Sequence, residues 1–144
     1  MSNDGKITLF LVDDDALFLK SLEIDFLQQA DFHIETFATG ELCVARLYQH
    51  PDVIILDYHL NGLEKDAMNG IETLDKIKEF DPGIPVVMLS SQDKIDVAIS
   101  CMHHKATDYV VKNETAVLRL RKMISAALRF SKMEKELKWY MERM

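Results

Sequence analysis

Along the chain, short apolar runs alternate with segments whose apolar residues recur every three or four positions. Ile7 to Val12 is continuously apolar, with Gly5 before it and acids after it, the pattern of a buried strand. A helical pattern follows, with Phe18, Leu22 and Phe26 four apart, Leu19 and Leu27 beside them, and Asp14 or Asp15 as its N-cap. Phe32 to Phe37 alternates apolar and polar residues, as an edge strand does, and Thr39 introduces a short helix over 41–49. His50-Pro51 stops that helix, and DVIILD is a second fully apolar strand ending at Asp57. A long connection over 58–69 leads to a helix from Gly70 to Phe80, with Ile71, Leu74 and Ile77 facing inward and Asp81-Pro82-Gly83 ending it. IPVVML is the fourth strand and closes at Ser90-Ser91. The fourth helix, about 94–104, carries Ile95, Ala98, Ile99 and Met102 at i, i+3, i+4 and i+7 as its apolar stripe. DYVVK is a short fifth strand, and everything from Thr115 onward reads as helix.

This is a (βα)5 pattern. Fully apolar strands alternating with amphipathic helices imply a parallel sheet covered on both faces. Right-handed crossovers make an open, doubly wound α/β sheet the economical arrangement. At 144 residues the chain is sized for one domain with a proper core. Its 48% hydrophobic and 28% charged content place it among ordinary globular proteins rather than disordered or fibrous ones. A net charge of -7 argues against direct nucleic-acid binding and against anionic membrane surfaces. No apolar run is long enough to span a bilayer, and MSNDGKITLF lacks the regions of a signal peptide, so the expected location is cytoplasmic. Cys43 and Cys101 both fall inside helical patterns and suggest no disulfide framework.

In an open α/β sheet, ligands bind outside the carboxyl ends of the strands, where strand order reverses. Those ends carry Asp13, Asp14 and Asp15 on the first strand, Asp57 on the third, Ser90 on the fourth and Lys112 on the fifth. Carboxylates without a thiolate or a usable imidazole suit a hard cation such as Mg2+. A metal beside a lysine is equipment for stabilising a phosphoryl group in transfer. Adjacent His103-His104 point to different sides of a helix and read as a solvated helix end.

LVDDD after the first strand, VIILD after the third, VVMLSS after the fourth and DYVVK at the fifth together resemble the receiver domain of two-component response regulators, of the chemotaxis-receiver type. Each motif alone is weak; all of them in order, with helices between, are specific. The resemblance covers 5–128 and implies a flavodoxin-like sheet of strand order 2-1-3-4-5. It implies Asp57 as phosphoacceptor, and Mg2+ held by Asp13, Asp14, Asp57 and the backbone carbonyl of His59. It implies Lys112 pairing with Asp57 and then with the phosphoryl group, Ser90 and Tyr109 as the switch pair, and His59 and Gln92 as positions that tune dephosphorylation. The implied partners are a sensor histidine kinase or a histidine phosphotransfer protein, and a downstream protein or a fused output domain. Such a domain is a bacterial signalling switch rather than an enzyme; it catalyses only its own phosphorylation and dephosphorylation.

Two rivals stand beside this reading. One is a non-phosphorylated pseudo-receiver, against which the complete set Asp13, Asp14, Asp57, Ser90 and Lys112 argues. The other is a phosphatase of the haloacid-dehalogenase type, with Asp13 and Asp15 as its acids; ALFL at 16–19 and the missing late acidic pair argue against that.

The chain departs from the family pattern in three places. The loop between Asp57 and Gly70 is long and lacks proline, and is expected to tune kinase access or hydrolysis. Lys112 is followed by Asn113 where the family has proline, which leaves a cis or a trans peptide open. Lys105 stands where a glycine usually ends the fourth helix, so a left-handed cap there would be strained.

The tail adds a further expectation. From Thr115 to Met144 one helix would extend roughly 45 Å at 1.5 Å per residue. Leu120, Ile124 and Leu128 would pack on the sheet. Met123, Ala126, Phe130, Met133, Leu137, Tyr140 and Met144 form a second seam of 3-4 spacing. Arg129 and Glu134 stand at positions suited to an interhelical pair. Residues 129–144 thus read as an extension with a self-associating, homodimeric or partner-binding stripe, the plain alternative being a frayed amphipathic end. No helix-turn-helix pattern follows residue 128, so the chain is either a stand-alone regulator or a receiver from a longer protein.

Overall fold

The computed structural model describes residues 6–28, 32–60, 66–91 and 94–144. Five strands and five helices alternate: β1 (Ile7–Val12), α1 (Ala16–Leu27), β2 (Phe32–Phe37), α2 (Gly40–Val44), β3 (Val53–Asp57), α3 (Gly70–Phe80), β4 (Val86–Ser90), α4 (Ile95–His103), β5 (Asp108–Val111) and α5 (Ala116–Glu142). The strands are parallel in the order β2-β1-β3-β4-β5. The order reverses beside β1, which places the carboxyl ends of β1 and β3 next to each other, with Val12 opposite Leu56. Among the described residues, no helix is long and apolar enough to cross a membrane.

Strand side chains alternate between faces, and the core divides accordingly. Leu9, Leu11, Val53, Ile55, Val87 and Leu89 face α1 and α5, meeting Leu22, Phe26, Leu120 and Ile124. Phe10, Val12, Ile54, Leu56, Val86 and Met88 face α2, α3 and α4, meeting Cys43, Leu74, Ile77, Val97 and Cys101. The three central strands are therefore apolar on both sides, which is why they read as unbroken runs. β2 lies at the edge of the sheet. Its residues 32–35 are half-buried, Thr36 is exposed and Phe37 is buried, in keeping with the mixed apolar and polar pattern of that strand.

Cap chemistry sets the helix starts. Asp15 accepts from the backbone N–H groups of Leu17 and Phe18 at 3.1 and 3.2 Å. Asn69 and Glu72 form a reciprocal capping box at the start of α3, with bonds of 2.8 and 3.0 Å. α5 is pinned to α1 by a two-point ion pair, Arg121 to Asp25, at 2.7 and 3.2 Å.

Two local expectations are corrected. The helix expected over 41–49 breaks into α2 and a separate 3-10 turn, Leu47–Gln49. Arg46 N–H bonds back to the Cys43 carbonyl, which tightens the turn, and His50 before Pro51 is left-handed at φ 54°. The apolar stripe expected of α4 points outward: Ile95, Ile99 and Met102 are exposed, and Val97 and Cys101 are the buried residues. α4 carries apolar side chains on two sides, and spacing alone does not say which one meets the sheet.

The Lys112–Asn113 peptide is trans. Lys105, just past the end of α4, sits at φ 76°, the left-handed region that glycine occupies without penalty. Lys105→Gly is therefore expected to stabilise the domain by about 1 kcal/mol. Chemical denaturation of both forms checks this: a raised midpoint is the expected result, and an unchanged or lowered one contradicts it.

Candidate functional site

The carboxyl ends of β1, β3 and β5 bring Asp13, Asp14, Asp57 and Lys112 together. Ligand oxygens from Asp13, Asp14 and Asp57 all lie within 4.8 Å of one another. Asp13 and Asp57 are only 1% and 3% exposed, so two carboxylates sit side by side in a nearly dry environment. The Lys112 ammonium lies 2.7 Å from Asp13 Oδ2 and 3.5 Å from Asp57 Oδ1. The closer contact is poorly aligned for a hydrogen bond, and Asp13 Oδ2 has no well-directed donor among the described residues. The ammonium thus faces both buried carboxylates, with Asp13 the nearer.

The third aspartate of the triplet has a different task. The Asp15 backbone N–H donates to Asp13 Oδ1 at 2.9 Å, while the Asp15 carboxylate is occupied in capping α1. The turn thereby fixes Asp13 inward and leaves Asp15 exposed at the helix start.

Burial pushes the Asp57 carboxyl up to about 7. The Asp13 charge and a hydrogen bond with Asp13 push the same way, while Lys112 and the His59 backbone oppose them. For Lys112, burial works to lower the ammonium's pKa. Its contacts with Asp13 and Asp57 outweigh burial and leave it raised. The cluster is thus short of positive charge around Asp57, with one ammonium shared between two buried carboxylates.

The donor set fits a hard divalent cation. It is all oxygen, it is anionic, and it includes a buried Asp13 oxygen without an aligned donor. His59 Nε2 is likewise buried without a hydrogen-bond partner among the described residues, and its ring packs edge-on against Tyr58 at 4.9 Å.

Ser90 ends β4 and is fully buried. Its carbonyl accepts from the Lys112 N–H at 2.7 Å, so the strand-end backbone ties the hydroxyl-bearing residue to the lysine. Tyr109 lies opposite Met88 in the β4–β5 register and packs half-buried against the α3–α4 side of the core. Gln92 lies outside the described residues, as do residues 61–65 of the long loop. The rest of that loop is tied down: Met68 N–H donates to the Glu41 carboxylate at 2.8 Å, and Leu60 is buried.

Two contributors are not picked out as site residues by the sequence pattern. Phe18, in the first turn of α1, places its ring centre 4.6 Å from the Lys112 ammonium, a cation–π contact that adds to the lysine's ion pairs. Nothing in the local spacing separates Phe18 from the other apolar residues of α1. Gly70 opens α3 directly against the backbone after Asp57. A Cβ there would meet the Asp57 carbonyl at 2.5 Å and Tyr58 Cα at 2.6 Å, so only glycine permits this approach. Its N–H donates to the Tyr58 carbonyl at 3.1 Å, and Tyr58 N–H donates to the Leu89 carbonyl at 2.7 Å, which fixes the peptide that follows Asp57.

Residues 9–125 match the family described as Response regulator receiver domain. The chain is 31% identical over 126 residues to the probable transcriptional regulatory protein TcrX of Mycobacterium tuberculosis, covering 84% of this chain and 51% of that protein. It is 38% identical over 108 residues to a protein-glutamate methylesterase/protein-glutamine glutaminase of Bacillus licheniformis, covering 71% of this chain and 28% of that one. Among solved structures, NtrX from Brucella abortus superposes with a TM-score of 0.83 at 26% identity, over 95% of this chain and 30% of that one. The chain therefore spans about half the length of the first relative and under a third of the other two.

Proposed function

The chain belongs to the response regulator receiver domain family, and from that premise we propose that it is a phosphoryl-accepting switch with Asp57 as its acceptor. The observation that carries this is the convergence of Asp13, Asp14 and Lys112 around a buried Asp57 at the carboxyl end of the central strand β3.

A carboxylate oxygen of Asp57 attacks the phosphorus of a phosphohistidine on a partner kinase or phosphotransfer protein. The P–N bond breaks, its electron pair returns to the imidazole, and an acyl phosphate forms on Asp57. Water attack on that phosphorus later releases inorganic phosphate and restores the carboxylate. Asp13, Asp14, Asp57 and the His59 carbonyl would hold Mg2+, which when bound supplies positive charge to the phosphoryl oxygens. Lys112 is held within reach of Asp57 and moves from the Asp13 carboxylate toward the incoming phosphoryl oxygens. Ser90, at the end of β4, donates its hydroxyl to the same group, and Tyr109 repacks toward the space this opens. The displacement reaches α4, β5 and α5, the surface from which a partner or output domain reads the state. His59 and Gln92 tune the lifetime of the acyl phosphate. The domain acts as a switch and turns over only its own phosphoryl group. The receiver unit is 5–128, with 129–144 as an extension.

The test is incubation of the chain with Mg2+ and a small-molecule acyl phosphate. The expected result is an intact-mass increase of one phosphoryl group, lost again on standing and absent when Mg2+ is chelated. No mass gain under conditions that preserve the fold contradicts the reading and favours the pseudo-receiver.

A further inference from the structure

We propose that the part of α5 beyond the sheet is the seam of a parallel homodimer, whose occupant is the same helix of a second copy of this chain. This goes beyond the phosphoryl-acceptor reading and does not depend on it. Leu120, Ile124 and Ala127 of α5 are buried against the domain. At 3.6 residues per turn, Phe130, Met133, Leu137 and Tyr140 of α5 fall about a third of the circumference away from that face. They are therefore not a continuation of the core stripe. Phe130, Met133, Leu137 and Tyr140 are between 61% and 66% exposed, and all four follow Ala127, the last buried residue of α5. A contiguous apolar stripe of this kind marks an interaction site.

The sequence pattern selects a second copy as the occupant. The spacing 3-4-3-4 through Met123, Ala126, Phe130, Met133, Leu137, Tyr140 and Met144 is the repeat that lets two identical helices interdigitate. Arg129 precedes one seam residue and Glu134 follows another. Five residues apart, they face each other across a parallel pair, and the twofold axis forms this contact twice. Exposed ion pairs contribute only about 0.2–1 kcal/mol each, so the charges select register while the apolar seam supplies affinity. The charges select the parallel sense, because Arg129 and Glu134 meet across the seam only when the two helices run the same way.

The helix itself is already nucleated. The domain anchors its first turns through the buried face and through Arg121 and Asp25. The two-heptad exposed part therefore does not bear the nucleation cost that makes short isolated helices marginal.

Sedimentation equilibrium of the full chain tests the proposal, together with Leu137→Glu. That residue lies beyond the domain core, and unchanged circular dichroism would show that the fold survives. The expected result is a concentration-dependent dimer whose dissociation constant rises at least tenfold in the variant. Met133→Cys tests register: oxidation should give a dimer linked between the two copies of position 133, while Lys135→Cys, on another face, should not crosslink. Cys43 and Cys101 are buried, with thiols pushed up to about 12 and 11, so they contribute no background. A monomer at the highest soluble concentration overturns the proposal, as does a dimer indifferent to Leu137→Glu. Failure of Met133→Cys to crosslink overturns the parallel register.

Discussion

Asp57→Asn is expected to abolish phosphoryl uptake from a small acyl phosphate in the presence of Mg2+, because an amide lacks the carboxylate oxygen that forms the new bond. Asp13→Asn and Lys112→Ala should differ in kind. They remove charge stabilisation and leave the nucleophile, so uptake slows by roughly a hundred- to a thousandfold without vanishing. Intact-mass time courses of the three variants separate the roles. If Asp13→Asn alone abolished uptake while Asp57→Asn retained it, the acceptor would be on β1, as in the haloacid-dehalogenase alternative.

The second large effect is on stability, and its sign is opposite to what a lost ion pair suggests. The Asp57 carboxyl titrates near 7 in the fold against an ordinary value of 3.8, with burial as the main cause. Between those values the folded chain binds more protons than the unfolded chain, so stability falls as pH rises. The contribution is fully present below the unfolded value and is lost as pH rises through about 7. At pH 8 without divalent cations, Asp57→Asn should therefore be more stable than the parent, by on the order of 2–4 kcal/mol. That is a rise in melting temperature of about 5–10 °C. The difference should shrink toward pH 4. Thermal melts across that range check the prediction, and a variant less stable than the parent at pH 8 contradicts it. Mg2+ should stabilise the parent more than the variant, since binding to the folded state alone adds to its stability.

Much of this site is legible in the sequence. The three central strands are buried on both faces, so their apolar runs are unbroken, and each ends abruptly at a polar residue. Asp13, Asp57 and Ser90 stand out by that contrast, and Lys112 does so at the end of β5. The Asp57-to-Gly70 spacing hides one detail: Gly70 is required by its contact with the backbone after Asp57, a through-space constraint that no local spacing encodes. Phe18 is hidden for the same reason, since its role depends on where β5 places Lys112. The outward stripe of α4 shows a different limit. Ile95, Ile99 and Met102 make as good an apolar face as Val97 and Cys101, and only packing against the rest of the domain decides between them. The break after α2 is a local tightening, with the Arg46 N–H bonded back to the Cys43 carbonyl, and apolar spacing does not encode it.

The position of the phosphoryl group can be read residue by residue. Borohydride reduces an aspartyl phosphate to homoserine, and peptide mass spectrometry after that treatment identifies which residue carried it. Homoserine is expected at position 57 alone, in a sample treated with Mg2+ and acyl phosphate. Homoserine at 13, 14 or 15, or at no position despite a mass gain, would contradict Asp57 as the acceptor.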